Sequence, residues 1–562
     1  MNLLAIGSDI LPVTPAEYRA ALFPRLSDEQ LARITQLGTR RSFRAAEEVF
    51  RQGDEELHLY VVLQGQLDIV RPNLMGEDLV ASLQPGEFTG EVSLLSRRRS
   101  LVTARMRTDG ELLDVPPAAF RKLVVADAEL SELLMRSFVL RRVVLITRRL
   151  GDTVLVGSRN NAGTIRLMEF LTRNGHPYSY LDVEEDPDAQ ALIEKFQVGL
   201  RDVPLLICRR TTVLRNPSNE EAAEALGFNV GVDLGAVRDL LVVGAGPAGL
   251  STAVYAASEG LSVLVVEASA PGGQAGSSSK IENYLGFPTG ISGTALAGRA
   301  FTQAEKFGAD IVVGRAAAQL DCSTKPYALV LANGDRVRAR TVVATCGALY
   351  RKLNLPNREK FDNAGLYYGA TFVEAQVCKG EELAVVGGGN AAGQAAVYLS
   401  GIARHVYMLV RSEGLSQSMS RYLILRIEEN PRITVETCTE IVALIGERVL
   451  ERIRTRNVKT REEKERPIGY VFCMTGAEPN TGWLGDCVVL DDKGFVKTGQ
   501  DLKRDDLERA GWPLPRMPYL LESSRPGVFA VGDARAGNIK RVASAVGEGS
   551  ICVQLVHKVL VD

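Results

Sequence analysis

A glycine-rich turn between two short apolar runs limits most strongly how this chain can fold. The first run ends at Gly244, which with Gly246 and Gly249 forms G-x-G-x-x-G, and a helical pattern follows before a second apolar run that ends at Glu267. These glycines permit a tight turn, a close approach of the backbone to a pyrophosphate and close packing of the helix on the strand, and the acid suits a ribose hydroxyl. The pattern predicts a βαβ unit that binds a dinucleotide, with its phosphates at the N-terminus of the helix.

Length, charge and cysteine usage narrow the class of protein. The chain has 562 residues, enough for several domains with their own cores, and its 66 Lys plus Arg against 68 Asp plus Glu give a net charge of −2. We therefore expect no nucleic-acid partner. The N-terminus has no basic leader and no stretch approaches about 18 uninterrupted apolar residues, so we expect a cytoplasmic protein with no membrane partner. The eight cysteines are scattered without C-x-x-C spacing, so we expect mostly reduced structural thiols and no metal site.

Residues 1–150 alternate short β-rich runs with turn residues and then become helical, which indicates a β-roll capped by helices. The segment resembles the cyclic nucleotide-binding domains of the catabolite activator family, on V-F-x-x-G-D, Y-V-V-L-x-G-x-L and G-E-V-S-L-L followed by an arginine. The resemblance implies that cAMP or cGMP would bind here, with Glu91 on the ribose, Arg99 on the cyclic phosphate, and Gly90 and Ser100 beside them. The alternative is a β-roll that keeps the fold but binds nothing, or binds another ligand.

Residues 151–232 read as strand, helix, strand and helix (the second helix at 187–196), with Val203-Pro204 before a further strand. This order resembles the thioredoxin and glutaredoxin fold, in which a cis Val-Pro peptide lies beside the active site. The redox C-x-x-C of that fold should open the first helix, but Ser158 to Gly163 contain no cysteine. Because a thiolate is the nucleophile of disulfide exchange, we expect this unit to dock or transmit rather than to catalyse.

Residues 233–355 and 482–562 resemble the thioredoxin reductase family of flavoproteins. The resemblance rests on G-G-Q, E-N-Y-L-G-F-P, A-T-C-G, G-V-F-A-V-G-D and R-V-A-S-A, which occur in the family's order. It implies FAD, bound by the first glycine motif and by further residues along the chain. Those implied residues are Gly244, Gly246, Gly249, Glu267, Gly273, Gln274, Asn283, Asp533, Arg541, Val542 and Ala543. Relatives are usually homodimers, so we expect a homodimer.

A second dinucleotide unit is inserted at residues 356–481. The motif G-x-G-x-x-A comprises Gly387, Gly389 and Ala392, with Asn390 and Ala391 between them. The next strand ends on Arg411, where an NAD site would place an acid, and a basic group there suits a 2′-phosphate. The sequence therefore favours NADPH over NADH.

The family's redox disulfide, C-A-x-C, lies a few residues before this second motif. Ala370 and Val373 occupy those positions, and Cys378 stands alone nearby. Glu374 falls where the family has an acid that protonates the leaving thiol. Without a dithiol, electrons on a flavin would have no relay to a protein disulfide, so we expect no catalytic cysteine pair and not a standard thioredoxin-disulfide reductase.

These patterns together predict a multidomain fold: a β-roll with helices, an α/β thioredoxin-like domain, and two Rossmann-like three-layer domains for FAD and NAD(P). Two functions remain open. One is an enzyme that moves a hydride from NADPH to FAD and then electrons to a small-molecule or small-protein acceptor, such as dioxygen, a quinone, a ferredoxin or a small disulfide. The other is a cyclic-nucleotide and redox sensor or scaffold with little turnover.

Overall fold

The computed structural model of the chain describes residues 15–73, 76–91, 93–96, 98–147, 153–186, 189, 202–209 and 212–561. Across these ranges no helix has the length and apolar character needed to cross a membrane. No group of three or more His, Cys, Asp or Glu side chains in the same ranges is arranged to hold a metal ion.

Two small antiparallel sheets form the N-terminal β-roll, in the strand orders β1-β7-β3 and β2-β6-β4-β5. The strands are β1 Thr39–Phe43, β2 Glu48–Phe50, β3 Leu59–Gln64, β4 Leu67–Asn73, β5 Gly76–Leu83, β6 Thr103–Met106 and β7 Gly110–Val115. The helices are α1 Pro15–Leu22, α2 Asp28–Thr35, α3 Ser93–Ser96, α4 Pro117–Ala126 and α5 Ala128–Thr147. The rings of Phe88, Phe120 and Phe138 pack together in the core between β-roll and helices. This agrees with the β-roll predicted from the turn residues.

A four-stranded mixed sheet follows, in the order β11-β10-β8-β9. Its elements are β8 Thr153–Gly157, α6 Ala162–Arg173, β9 Tyr178–Asp182, β10 Leu205–Cys208, β11 Thr212–Arg215 and α7 Asn219–Leu226. The β8 and β9 strands are parallel, β10 runs antiparallel to both of its neighbours, and the Val203–Pro204 peptide is cis. Apart from residue 189, the helix predicted at 187–196 lies outside the described residues.

The first glycine motif lies on a larger sheet, ordered β14-β13-β12-β17-β16-β15. Its elements are β12 Val237–Val243, α8 Pro247–Ser258, β13 Val263–Glu267, α9 Gly273–Gly276, α10 Gly293–Lys306, β14 Asp310–Val313, β15 Ala317–Asp321, β16 Tyr327–Leu331 and β17 Arg336–Ala344. The strands β12 and β13 are parallel, with Leu240 opposite Val263. Their continuous Val and Leu content suits a strand that is buried on both faces. The βαβ unit predicted from the glycine pattern is confirmed.

The inserted unit is built on a five-stranded parallel sheet, ordered β19-β26-β20-β21-β22. Its elements are β18 Ala348–Tyr350, α11 Arg358–Phe361, β19 Leu366–Tyr367, α12 Phe372–Val377, β20 Glu382–Val386, α13 Asn390–Ser400, β21 His405–Val410, α14 Arg421–Glu428, β22 Ile433–Thr437, β23 Thr439–Ile445, β24 Arg452–Asn457, β25 Glu463–Arg466, β26 Val471–Cys473 and β27 Ala477–Pro479. The strands β23, β24 and β25 form a separate antiparallel sheet, and β18 pairs with β27 where the chain enters and leaves the unit.

The C-terminal segment returns to the larger sheet. Its elements are α15 Arg504–Ala510, β28 Val528–Ala530 and α16 Val542–Val561, with short 3₁₀ helices at Gly482–Cys487, Gly499–Asp501 and Gly532–Ala534. The strand β28 adds to the sheet beside β17, and α16 packs against α8.

Six of the eight cysteines are free, as expected for most of them, and the remaining two are paired. Cys322, just after β15, and Cys487, at the end of the first 3₁₀ helix, form a disulfide. They are 165 residues apart in sequence, so only the return of the chain to this sheet brings them together. The other cysteines are free, and all of them except Cys346 are buried.

Candidate functional site: two dinucleotide sites and a β-roll cavity

The helix α8 begins at Gly246 without a capping side chain from the described residues. The first N–H groups of a helix have no intrahelical partners, so they remain available to an anion. A Cβ built on Gly246 would meet only the Cα of Gly273, at 3.9 Å. The glycine turn before α9 therefore lies close to the N-terminus of α8, and the two turns form an open backbone cradle that fits a pyrophosphate.

Gly249 and Glu267 fix the shape of this cradle. A Cβ on Gly249 would lie 1.9 Å from the carbonyl oxygen of Gly244, so the helix can approach the turn only without a side chain there. The Glu267 carboxylate accepts hydrogen bonds from the backbone N–H of Ala245 at 2.7 Å and of Ser269 at 2.8 Å. A carboxylate has about four lone-pair positions, so Glu267 keeps capacity for a ribose hydroxyl.

The predicted flavin-facing residues Gly273, Gln274 and Asp533 lie near two residues that the sequence patterns did not indicate. The Gln274 amide donates to the carbonyl of Ala348, beside Tyr350. The Arg173 guanidinium, from α6, donates to the carbonyl of Gly273 at 2.8 Å. Burial raises the pKa of Tyr350, and the Arg173 charge opposes that shift. Burial also raises the pKa of Asp533. The charged groups at this site are thus held in a partly desolvated pocket.

Three further predicted FAD residues lie together where α16 begins. Val542, the first residue of α16, packs against the small apolar cluster of Ile281, Ile291 and Ala295. Arg541 and Ala543 are exposed.

The loop that carries Asn283 joins the two dinucleotide-binding units. Asn283 is exposed, and its neighbour Glu282 forms an ion pair with Arg426 of α14 at 2.5 Å. This ion pair therefore links the loop to the inserted unit.

The second glycine motif repeats the geometry of the first. The helix α13 begins at Gly389 with no capping side chain from the described part of the chain, and the Asn390 side chain accepts from the N–H of Ser420 at 2.7 Å. Ala391 is exposed and Ala392 is buried against the sheet. The predicted 2′-phosphate ligand, Arg411, is exposed directly after β21, at the carboxyl edge of the sheet. That edge is where ligands bind in parallel α/β sheets.

The predicted dithiol positions are filled and covered. Ala370 precedes α12, and Val373 is 4% exposed within it, in an apolar cluster that includes Ile165 of α6. Glu374 accepts from the backbone N–H of Thr371 at 3.0 Å and so caps its own helix. Burial, and then the carboxylate of Glu169 on α6, raise the pKa of Glu374 well above its ordinary value. The α6 helix thus packs on the face of α12.

The free thiols near these sites are not activated. Burial raises the pKa of Cys346 to about 11 and that of Cys378 to about 12. Both thiols therefore stay protonated near neutral pH, and the reactive form of a cysteine is the thiolate.

A cavity of about 320 Å³ lies between the β-roll and the helices α1 and α5. Gly90, Glu91 and Ser100 lie on its wall, as predicted for a nucleotide site. Arg99 is not among the lining residues, because its guanidinium forms an ion pair with Glu55 at 2.6 Å. The structure therefore brings three of the four predicted residues together.

Two parts of the chain match known protein families. The family model for pyridine nucleotide-disulphide oxidoreductases matches residues 238–549, and that for the cyclic nucleotide-binding domain matches residues 40–127. The chain is 30% identical over 322 residues to a thioredoxin reductase of Bacillus subtilis, which covers 57% of this chain and 94% of the relative. It is 31% identical to NADPH-dependent thioredoxin reductase 3 of Arabidopsis thaliana over 60% of this chain, and it spans 63% of the length of that relative.

Solved structures show the same likeness. The crystal structure of T. acidophilum thioredoxin reductase matches 58% of this chain and 99% of its own, with a TM-score of 0.52 and 26% identity. That of Lactococcus lactis thioredoxin reductase gives a TM-score of 0.51 at 25% identity, over 58% of this chain and 99% of its own. The chain thus belongs to the pyridine nucleotide-disulphide oxidoreductase family, with a thioredoxin reductase-like domain that follows a cyclic nucleotide-binding domain.

Proposed function

We propose that the chain is an FAD-dependent NADPH oxidoreductase that passes electrons to an acceptor able to reach the flavin directly. One observation supports this proposal most strongly. The positions of the family's dithiol hold Ala370 and Val373, and α6 packs against α12, the helix that carries Val373, while both glycine-rich helix N-termini are retained.

The first cradle would hold FAD. The first amides of α8 would bind the pyrophosphate and Glu267 the ribose, while Gly273, Gln274 and Asp533 would lie along the flavin. A bound flavin accepts a hydride from a reduced nicotinamide and returns electrons to an acceptor. The chain's own part is to position the cofactors, and Arg173 adds a cation 2.8 Å from the Gly273 carbonyl.

The second cradle would hold NADPH. Arg411 is exposed at the edge of the sheet, where a 2′-phosphate would be reached, and no acid replaces it at that position of the motif. NADPH is therefore the proposed donor, with NADH weaker.

The domain boundaries after residues 150, 232, 355 and 481 are part of this proposal. Residues 151–232 are then a thioredoxin-like domain. The cis Val203–Pro204 peptide and the β11-β10-β8-β9 sheet support that fold. The contacts of α6 with α12, and of Arg173 with Gly273, support a docking role for it.

We further propose that a ligand of the β-roll modulates flavin reduction, with a cyclic nucleotide as the ligand that the family match suggests. Arg98 supports such coupling. Its guanidinium lies 4.3 Å from the Phe228 ring centre and 5.3 Å from that of Phe301 on α10. It thus contacts the second unit and the flavin unit together.

The test is turnover of the full-length flavoprotein with NADPH and defined acceptors. We expect reoxidation by dioxygen, a quinone or a small electron-transfer protein, and no reduction of oxidised thioredoxin above background. Reduction of thioredoxin at a rate matching flavin reduction would overturn the proposal. Full flavin reduction without turnover on any acceptor would instead favour the sensor function.

A further inference from the structure

The wall of the β-roll cavity is mainly apolar. Side chains from α1, α3, α5, the β2-β6-β4-β5 sheet and nearby loops line it. Its apolar lining residues include Leu22, Phe23, Phe50, Ile69, Val80 and Leu145. A cavity of about 320 Å³ is within the size range of small-molecule sites, roughly 300–1,000 Å³.

One buried cation faces this apolar space. Arg141 lies on α5, is 8% exposed and lines the cavity. Its Nε donates to the carbonyl of Leu22 at 2.8 Å and its Nη1 to the carbonyl of Gly90 at 2.7 Å. Its Nη2 is buried and has no hydrogen-bond partner in the described residues.

Arg141 has no balancing carboxylate at contact distance. The ion pairs within the described part of the chain do not include it, and Glu87 pairs with Arg19 at 2.7 Å. Burial lowers the pKa of Arg141 to about 9. A desolvated guanidinium with an unsatisfied N–H is costly, and it is stabilised best by an anion that reaches that N–H.

The residues predicted to hold a cyclic nucleotide already have protein partners. Glu91 forms an ion pair with Arg142 at 3.0 Å. Arg99 pairs with Glu55, and it lies against Gly227 of the second unit, where a Cβ would meet its Nε at 2.7 Å. Arg141, whose guanidinium also lies over the rings of Phe23 and Phe88, is the buried cation on the cavity wall.

We propose that the β-roll cavity binds a medium-chain aliphatic carboxylate, with the carboxylate on Arg141 and the chain along the apolar wall. This names a different class of ligand for the cavity than a cyclic nucleotide, and it rests on the proposed regulation only for the effect on the flavin, because binding itself is measured separately. Like a cyclic nucleotide, this ligand is anionic at one end, but it needs no protein residue that binds a ribose or a phosphate.

The first test compares octanoate with 1-octanol by isothermal titration calorimetry on the full-length flavoprotein. The two probes share the apolar chain and differ in the charged end. Because a hydrogen bond to a charged group contributes about 1.5–3 kcal/mol, we expect octanoate to bind about tenfold or more tightly than octanol. Equal affinities, or no binding of octanoate, would overturn the proposal. This comparison needs no substitution, so it stands even if an Arg141 variant fails to fold.

The second test uses variants on the same probe. Ala81→Phe fills a lining position and should weaken octanoate binding at least tenfold, since the added ring takes up volume that the chain needs. Arg99→Gln is the matched control: it lies outside the cavity and should leave octanoate affinity unchanged. If cAMP or cGMP binds and Arg99→Gln abolishes both nucleotide and octanoate binding, the ligand sits on Arg99 and the proposal fails. If octanoate binds but the rate of flavin reduction by NADPH is unchanged, the site stands and the proposed regulation fails.

Discussion

Residue 249 shows how the absence of a single side chain determines a cofactor site. The Gly244 carbonyl oxygen lies where a Cβ at residue 249 would be built, at 1.9 Å, so any side chain would push α8 away from the turn. The proposed cradle for the pyrophosphate consists of that turn and the first amides of α8. Its geometry therefore depends on this contact.

We predict that Gly249→Ala lowers the FAD content and the thermal stability of the purified protein, because α8 must move away from Gly244. The ratio of flavin to protein absorbance and the melting temperature measure both effects. Gly298→Ala is the matched control: Gly298 is exposed in α10 and a Cβ there meets nothing within 4 Å. It should keep full flavin content and gain up to about 1 kcal/mol of stability from helix propensity. Normal flavin content in Gly249→Ala would contradict this account of the cradle.

A second prediction at this scale concerns Arg411. Replacing it by Gln removes the cation offered to a 2′-phosphate, so we expect KM for NADPH to rise about tenfold while KM for NADH stays constant. Initial rates with each donor measure the ratio. An equal change for both donors, or none, would show that Arg411 does not select the phosphate.

At the scale of elements, the packing of α6 on α12 distinguishes this chain from a plain pair of dinucleotide-binding units. Ile165 joins the apolar cluster of α12, and Glu169 lies against Glu374. Two carboxyl groups placed together in a desolvated contact favour a proton on one of them. The interface should therefore respond to pH.

We predict that the stabilising effect of Glu374→Gln grows as pH rises above about 4.5. An unfolded chain ionises this carboxyl near its ordinary pKa of 4.5, whereas the folded chain holds its proton to higher pH. Between these two pKa values the folded state binds more protons than the unfolded state, so the free energy of unfolding falls as pH rises. The side-chain amide of the Glu374→Gln variant does not titrate, so the variant does not lose this stability. Melting temperatures of both proteins across pH test this. Glu359→Gln is the control: its side chain is 87% exposed, so its melting temperature should differ from that of the native protein by the same amount at every pH. A difference that is also independent of pH for Glu374→Gln would contradict the prediction.

These elements also show what the sequence could and could not predict. The strand expected to end at Glu267 runs over Val263–Glu267, and the helix after the glycines runs over Pro247–Ser258, because local apolar patterns and glycines determine both. The hydrogen bond from Arg173 to Gly273 joins residues from different units, and the Cys322–Cys487 disulfide closes a separation of 165 residues. No local pattern encodes such pairs. The contact of Arg99 with Gly227 is a further pair of this kind, since Gly227 lies far along the chain.

At the scale of the whole molecule, Arg98 holds three units together. It is 8% exposed, donates to the carbonyl of Asn174 at 2.9 Å and lies over the rings of Phe228 and Phe301. Burial lowers the pKa of Arg98 to about 10. Its contacts therefore compensate a desolvated charge.

We predict that Arg98→Leu destabilises the full-length protein by about 2 kcal/mol, since it loses a charged hydrogen bond and two cation–π contacts. A thermal melt followed by flavin fluorescence should show a fall of several degrees. Arg40→Gln serves as the control, because Arg40 is 61% exposed and its ion pair with Glu111 spans 3.6 Å, and it should change little. Equal melts for both variants would show that Arg98 does not tie the units together.

The central claim is that a bound flavin is the only redox centre that NADPH reduces in this chain. Anaerobic titration with NADPH tests it most directly, by counting hydride equivalents per flavin to full reduction. We predict one equivalent, both in the native protein and in a Cys322→Ser/Cys487→Ser double variant. Two equivalents in the native protein and one in the variant would show that the Cys322–Cys487 disulfide accepts electrons from the flavin, and would contradict the claim.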